Sequence, residues 1–292
     1  MYKYKASVII PTYNRLHELR FTLDSLAEQT TEHSFEVIIA DDGSSEDTKG
    51  VASAYIGRLN IRYCFQEDKG FRAAAARNMG IKLADGEICV FVDNGIALHP
   101  DALNAHIEAH KAEGAPRAVI GYVYGFDTEK GREDEVMAVI EGNDIASAIS
   151  ILHDRQIYDV REAMYQELGE DVNNWLAPFV VCWSGNLSVP REVLLSVGMY
   201  DEYFTTWGGE DDDLGLSLFR YGVCFVLSRG ASSLHYPHQK EHTWNTNWRE
   251  EHAKLKAKKQ YMYEKHPIPE MGLWTYVYNS VDLNNALKLF LR

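Results

Sequence analysis

Four acidic residues in a row, Glu210-Asp211-Asp212-Asp213, follow an aromatic and two glycines, Trp207-Gly208-Gly209. Adjacent carboxylates repel one another. A fold gains nothing by crowding them unless a cation, a hydroxyl-rich ligand or a proton is to be held there. The glycines allow a tight turn and a close backbone approach to a ligand, and the tryptophan offers a flat apolar face suited to a sugar ring. The tract also reads as a helix N-terminus, where carboxylates are favoured. Leu214, Leu218 and Phe219 continue it as a helical apolar stripe, so both readings hold together.

Three shorter segments carry chemistry of a second kind. Pro11-Thr12-Tyr13-Asn14, Asp41-Asp42-Gly43-Ser44 and Asp93-Asn94-Gly95 each follow a short apolar run. Each is a plausible turn or helix cap. Yet a carboxylate at a strand end can accept hydrogen bonds from a nucleobase imide or from ribose hydroxyls, and Tyr13 can stack on a base. Hard cations such as Mg²⁺ or Mn²⁺ prefer oxygen ligands and often bridge a diphosphate. That makes Asp93 a candidate for ribose or metal contact and Asn94 a source of a carbonyl oxygen. The run 68–78 adds Lys69, Arg72 and Arg77 as cationic donors, with Gly70 near a helix N-terminus that attracts phosphate. Its four consecutive alanines make a thin face for close packing.

Several histidines weigh less. His106 and His110 lie four apart, but His-Ile-Glu-Ala-His lacks the glutamate placement of a zinc-protease motif, so a solvated helix face is expected. His235, His238 and His242 stand in a polar loop after a strand-like run, and a ligand role for His235 or His238 gains weight only where that loop lies over the sheet's carboxyl edge.

The elements that must position these groups alternate over the first 125 residues. Apolar strands are expected at 6–10, 35–40, 61–65, 88–92 and 118–123, and helices at 16–29, 47–56, 71–83 and 101–111. Strands apolar along their whole length, separated by helices, predict a mostly parallel sheet covered on both faces. Ligands in such sheets bind beyond the carboxyl ends of the strands, which is where the three turn motifs fall. From 126 to 176 the alternation lapses into a polar, helical insertion or lid. β character returns over 179–190 around Trp183-Ser184-Gly185-Asn186 and again near 223–227. The tail reads as helices broken at Pro267 and Pro269. This divides the chain into 1–125, 126–245 and a helical extension, 246–292.

Composition excludes several classes. The 292 residues carry a net charge of −14, so a general nucleic-acid binder, which needs a phosphate-neutralising basic surface, is not expected. Lys254, Lys256, Lys258 and Lys259 read as a solvated helix face. Four scattered cysteines, Cys64, Cys89, Cys182 and Cys224, read as buried thiols in a reducing compartment. No signal peptide and no run of about 18 apolar residues is visible, so a soluble cytoplasmic protein without a transmembrane segment is expected.

Taken in order and spacing, 11–14, 41–44, 70–78 and 93–95 resemble the nucleotide-sugar-binding half of a family 2 inverting glycosyltransferase with the GT-A fold. Residues 183–186 through 207–212 resemble the acceptor half shared by galactosyltransferases, polypeptide N-acetylgalactosaminyltransferases and bacterial chondroitin-type polymerases. The resemblance covers roughly residues 5 to 245. It implies an α/β fold, a Rossmann-like three-layer α/β/α arrangement with a mostly parallel mixed sheet, a helical insertion and C-terminal helices. Thr12, Tyr13, Asp42 and Arg77 would hold a nucleotide, most often a uridine diphosphate, with Pro11, Asn14, Lys69, Arg72, Asn78 and Asn94 beside it. Asp93 would lie next to ribose and metal. Asp211 matches the catalytic base, Glu210 and Asp212 would bind acceptor hydroxyls, and Trp207 and Trp183 would line the sugar site. His235 matches a metal-binding histidine of some relatives.

One position departs from that pattern. Gly95 stands where the usual Asp-x-Asp signature ends in its metal-ligating aspartate, so either Asp93 and His235 hold a divalent Mn²⁺ or Mg²⁺, or metal binding is weak or absent. The activity implied is transfer of a hexose or N-acetylhexosamine, with inversion, from a UDP-sugar to a carbohydrate, peptide or natural-product acceptor. The competing reading is a non-catalytic nucleotide-sugar or carbohydrate-binding relative, for which Gly95 speaks. A nucleotidyltransferase would need a glycine-rich loop near the N-terminus, and none is present.

Overall fold

Strand β1 (Tyr4–Thr12) sits inside the sheet, and its run from Ala6 to Ile10 is fully buried because helices cover both faces. It pairs in parallel with β2 (Phe35–Asp41) and β4 (Gly86–Val92), and β2 pairs in parallel with β3 (Ile61–Phe65). The computed structural model describes residues 2–126, 132–237, 248–277 and 279–290. His238 and His242 lie outside them.

The remaining strands are β5 (Ile96–Leu98), β6 (Arg117–Tyr124), β7 (Asn186–Pro190) and β8 (Cys224–His235). Among the described residues these eight strands form one sheet in the order β3-β2-β1-β4-β7-β6-β8-β5. The sheet is mixed: β7 runs antiparallel to β4 and β6, and β5 antiparallel to β8, while β6 and β8 are parallel. Because strand side chains alternate between faces, neighbouring residues of β1 enter different cores. Val8 and Ile10 pack with Leu19, Leu23 and Leu26 of α1 (Leu16–Ala27) and with Leu103 and Ile107 of α4 (Ala102–Ala109). Ile9, Cys89 and Phe91 face the other way, toward Ala74 and Ile81 of α3 (Ala73–Leu83). α2 (Thr48–Ala54) covers the first face as well. Three layers result, as the alternating pattern predicts.

α3 rests unusually close to the sheet. A side chain at Gly80 would collide with Ile9, so glycine is what lets the helix axis drop and brings Arg77, one turn earlier, over the strand ends.

The insertion is helical, comprising α5 (Glu133–Glu141), α6 (Ile145–Asp154) and α7 (Glu162–Leu168). It is less polar in its packing than its composition suggests. Val136, Val139, Ala148, Leu152 and Tyr165 all join the main core. A buried ion pair pins it: Arg161 Nη2 lies 2.6 Å from Asp159 Oδ2 and donates to Gly121 O, while Arg161 Nη1 donates to Val181 O. After α8 (Arg191–Val197) and α9 (Glu210–Tyr221) the tail forms α10 (Trp248–Lys265), α11 (Pro269–Trp274) and α12 (Ser280–Phe290). Pro269 begins α11, where its missing N–H has no helical partner to lose. The short β5 was not anticipated, and β8 extends well past 227 through an irregularity opposite Gly121 and Tyr122.

Two surface expectations are corrected. Lys254 and Lys256 are exposed, but Lys259 is buried, with its ammonium donating to Trp274 O and Val277 O. His106 and His110 are not a solvated face. Both turn inward against β7, where His106 hydrogen-bonds Ser188 Oγ and Asn186 Oδ1 and His110 hydrogen-bonds Ser188 Oγ. Burial pushes His106 down to about 4 and, with help from His106, Arg117 and Lys5, His110 down to about 3. Both rings are therefore neutral in the native protein at pH values where an unfolded chain protonates them. Their contribution is fully present above about pH 6.5 and is lost as pH falls below it, by up to about 2 kcal/mol per ring at pH 5. Thermal unfolding should give a clearly lower Tm at pH 5 than at pH 7, and His110→Gln should flatten that slope. An identical slope in the variant would show that other groups carry it.

Candidate active site

The carboxyl ends of β1, β2 and β4 open on one edge of the sheet, and α9 begins beside them. Gly208 (φ 82°) and Gly209 (φ 100°) make the turn into α9. A side chain at Gly209 would come within 2.8 Å of the Phe204 ring, so the acidic tract can enter its helix there only through glycine.

Arg77 joins the two sides of the crevice. It is 4% exposed. Its Nη2 donates to Asp93 Oδ1 at 2.9 Å, its Nη1 lies 3.4 Å from Glu210 Oε1, and its guanidinium stands 5.4 Å from the centre of the Tyr200 ring. Asp211, next in α9, is held by Ser184: the backbone N–H donates to Oδ2 at 3.1 Å and the hydroxyl to Oδ1. Ser184 Oγ also meets the Tyr200 hydroxyl. Gly185 O accepts from Asp93 N. The segment 184–185 thus ties the end of β4 to the start of α9.

The four acids divide into different states. Asp213 is fully buried and structural, with Lys265 Nζ at 2.7 Å from one oxygen and His266 Nε2 at 3.0 Å from the other. Glu210 is paired with Arg77, but its Oε2 is buried without a hydrogen-bond partner, as is Arg77 Nε. Asp211 keeps a window to solvent yet is enclosed by protein. Desolvation drives its carboxyl up to about 7 against the opposing pull of Arg77, with Glu210 and Asp93 adding to the rise. Asp212 rises to about 8 for the same first reason, with Asp211 and Glu210 contributing and Lys259 opposing. A proton can therefore be taken up and released by this pair near neutral pH.

On the nucleotide side the expected residues converge only in part. Asp42 is nearly buried. Its Oδ1 accepts from Gln66 Nε2 at 2.5 Å and its Oδ2 from Arg72 N at 2.7 Å, and burial raises its proton affinity against these bonds. Tyr13 is exposed and donates from its hydroxyl to Asp68 Oδ2. Thr12 and Asn94 bond each other across the ends of β1 and β4, through Asn94 Nδ2 and Thr12 Oγ1 at 2.6 Å, and Asn94 Oδ1 is buried without a partner. Pro11, in β1 opposite Ala40 of β2, shapes the strand end. Lys69 is well exposed, its charge nearest Glu67 at 3.7 Å.

Two residues expected at the nucleotide are engaged elsewhere. The Asn14 side-chain oxygen accepts from Ser45 N and Glu46 N, locking one loop to the next. Asn78 spends its amide on Tyr200 O, Glu202 Oε1 and Tyr200 N. It clamps α3 to the loop before α9.

Trp183 is half-buried, its ring 5.2 Å from the Arg161 guanidinium, whereas Trp207 is 64% exposed. His235 pairs in register with Ile96, whose N–H donates to Asp93 O, and its ring meets Phe126 edge-on at 4.9 Å. Among the described residues no three His, Cys, Asp or Glu side chains gather as a metal cluster. One carboxylate and one imidazole at a strand end fit a hard cation that draws its other ligands from a diphosphate and water, and do not fit a closed protein cage. Ser184, Tyr200 and Gln66 were not anticipated as site residues. Ser184 stands inside the quoted Trp183–Asn186 motif, but nothing in its spacing points to residue 211.

A family model described as glycosyl transferase family 2 matches residues 7–182. A second, described as the N-terminal domain of galactosyltransferase, matches residues 169–239. A validoxylamine A glucosyltransferase of Streptomyces hygroscopicus subsp. jinggangensis is 36% identical over 243 residues, covering 82% of this chain and 57% of that protein. An Escherichia coli chondroitin synthase is 31% identical over 238 residues, covering 78% of this chain and 34% of that protein. The chain thus spans little more than half the length of the first of these relatives and about a third of the second. Among solved structures, Staphylococcus aureus TarS 1–349 in complex with UDP-GlcNAc aligns with a TM-score of 0.57 at 18% identity, over 87% of this chain and 66% of that one. A mannosyltransferase of Pyrobaculum calidifontis in complex with GDP-Man and Mn²⁺ aligns at 0.57 and 18%, over 98% and 74%. These structural likenesses establish the GT-A fold.

Arg77 is the group whose loss the site should tolerate least. Arg77→Met leaves Glu210 buried without its counter-charge, a change typically worth about 3–5 kcal/mol. Urea unfolding should show a destabilisation in that range. A change under about 1 kcal/mol would mean that the guanidinium does not join the two sides energetically.

Proposed function

We propose that this chain, which belongs to glycosyl transferase family 2, moves a sugar from a UDP-linked donor to a hydroxyl- or amine-bearing acceptor with inversion at the anomeric carbon. The observation that carries the proposal is the bridge of Arg77 between Asp93 and Glu210. It sets the high-affinity carboxylate of Asp211 against the strand ends where a nucleotide diphosphate binds in sheets of this type.

In the proposed reaction the acceptor nucleophile attacks the anomeric carbon from the face opposite the diphosphate. Asp211 accepts the proton released as that bond forms. The bond from the anomeric carbon to the diphosphate oxygen breaks, and UDP departs with the electron pair. Ser184 fixes the orientation of the Asp211 carboxylate through two hydrogen bonds. Glu210 Oε2 and Asp212 are the groups for acceptor hydroxyls, with Trp207 and Trp183 as apolar walls. Asp42 and Tyr13 face the base, Asp93 the ribose, and Arg72 and Lys69 the diphosphate. A divalent cation held by Asp93 and His235 would supply Lewis-acid neutralisation of the leaving diphosphate.

The relatives span a glucosyltransferase and a chondroitin synthase, which favours UDP-linked glucose or an N-acetylhexosamine as donor and a saccharide-like acceptor. No helix among the described residues is long and apolar enough to cross a membrane. A cytoplasmic setting, where nucleotide sugars are made, fits the proposal. A purely binding role, without transfer, is the second reading, and the glycine at position 95 is what favours it.

Release of UDP from a panel of UDP-sugars, with and without Mn²⁺ and with validoxylamine A among the acceptors, tests the proposal. Asp211→Asn should lower turnover by about 10²–10⁴-fold while the protein still binds UDP. Because the base must be deprotonated and its carboxyl titrates at about 7, kcat/KM should fall about tenfold per pH unit below that value and level off above it. Unchanged turnover in the variant removes Asp211 as the base. Tight UDP binding with no turnover of any sugar favours the binding reading.

A further inference from the structure

We propose that Lys258, on the C-terminal helix α10, is a positioning residue of the acceptor side, its ammonium fixing the Trp207-Gly208-Gly209 turn and with it the stance of Trp207 over the crevice. The inference rests on the transferase reading and extends it to a helix outside both family matches, which end at residues 182 and 239.

Lys258 Nζ donates to three successive backbone carbonyls: Thr206 O at 3.2 Å, Trp207 O at 2.6 Å and Gly208 O at 2.7 Å. An ammonium has three N–H donors and no acceptor, so the turn presents the complement of this side chain. The match has a backbone cause. The carbonyls of residues 206–208 precede the N-cap Gly209 and lie outside the ladder of α9, so they must be satisfied from elsewhere, and the left-handed Gly208 and Gly209 set how this turn enters the helix. The Lys258 stem lies beside the same turn: a side chain at Gly209 would come within 3.4 Å of its Cδ.

The helix carrying Lys258 is itself anchored at this loop. Tyr261 and Lys265, three and seven residues on, share its face. Both bond Asp201 Oδ2 at 2.7 Å, and Lys265 also bonds Asp213. α10 therefore grips both ends of the segment 201–213 and, through Lys258, its middle. It leaves the exposed Trp207 ring held from its backbone side. Backbone placement sets where that aromatic face stands, and a misplacement of about 1 Å at such a contact can cost 10²-fold.

The test uses the full chain and two variants. Lys258→Met keeps the apolar stem and removes the ammonium. Gly208→Ala keeps Lys258 but strains the turn, since a methyl there meets no atom within 4 Å while φ stays at 82°. With UDP-glucose as donor and validoxylamine A as acceptor, both variants should raise the acceptor KM by about tenfold or more with the UDP-glucose KM at its wild-type value. Lys258→Arg should recover most of the loss. Amide hydrogen exchange across 205–210 should accelerate in Lys258→Met, while the strands keep their protection. An unchanged acceptor KM, or both KM values and kcat worsening together with general loss of protection, overturns the proposal. If the wild type turns over no UDP-sugar at all, the transferase reading fails. The exchange measurement still decides the role of Lys258, because unchanged exchange across 205–210 rejects it.

Discussion

The site depends on one buried cation. Arg77 lies almost wholly within protein, where an unpaired guanidinium would be prohibitively costly, and it is tolerated because Asp93 and Glu210 approach it from two different elements. The dependence is mutual. The buried Glu210 of the first turn of α9 depends on the positive charge of α3, while the half-exposed Asp93 at the end of β4 is also open to water. Gly80 lets that helix settle on Ile9 one turn further along, so a packing choice in the core determines where the charge stands. The crevice is therefore assembled by electrostatics across elements that are far apart in the chain.

That arrangement explains how four adjacent acids can share one helical turn. Repulsion among them is relieved differently at each position. Asp213 gives its charge to Lys265 and His266 of the tail, and Glu210 gives its charge to Arg77. Among the described residues Asp211 and Asp212 have no such partner at ion-pair distance, and they hold their protons more tightly instead. The helix N-terminus favours negative charge throughout the turn, but burial outweighs it at the two middle positions. The tract is thus partly scaffold and partly chemistry, with Asp213 anchoring the helix that carries Asp211.

Much of this was legible in the sequence, and what was not shares a cause. Apolar strands followed by turn chemistry place Asp42 and Asp93 at one sheet edge, because strand ends are local features, whereas only the family resemblance brings the acidic tract to them. Asn78 was assigned to the nucleotide because it closes a run of phosphate-suited residues. Its partners Tyr200 and Glu202 lie more than 120 positions away, and no local pattern announces them. His106 and His110 were read as solvated because their helix neighbours are polar, whereas the site they fill is made by Ser188 and Asn186 of β7. Lys258 and Lys259 belonged to what looked like a charged surface face for the same reason. Polar side chains whose partners come from distant strands cannot be told from solvated ones by spacing alone. The described part of 126–176 is helical, but its apolar residues are too scattered in the sequence to reveal how deeply α5 to α7 enter the core.

Gly95 shows how a departure from a family pattern can be more than a missing side chain. Its φ is 98°, a conformation that side-chain-bearing residues rarely adopt. Its N–H donates to Thr22 Oγ1, and its carbonyl accepts from Tyr236 N. The backbone at this position thus fastens the turn between β4 and β5 to α1 on one side and to the end of β8 on the other. A side chain here would meet nothing closer than Glu18 Cβ at 3.6 Å, so space does not exclude an aspartate; backbone strain does. The turn is a tight connection that brings His235, in register with Ile96, to the edge where Asp93 ends its strand. Any cation at this edge would depend more on the oxygens of a bound diphosphate than on the protein, which couples metal affinity to the presence of the nucleotide.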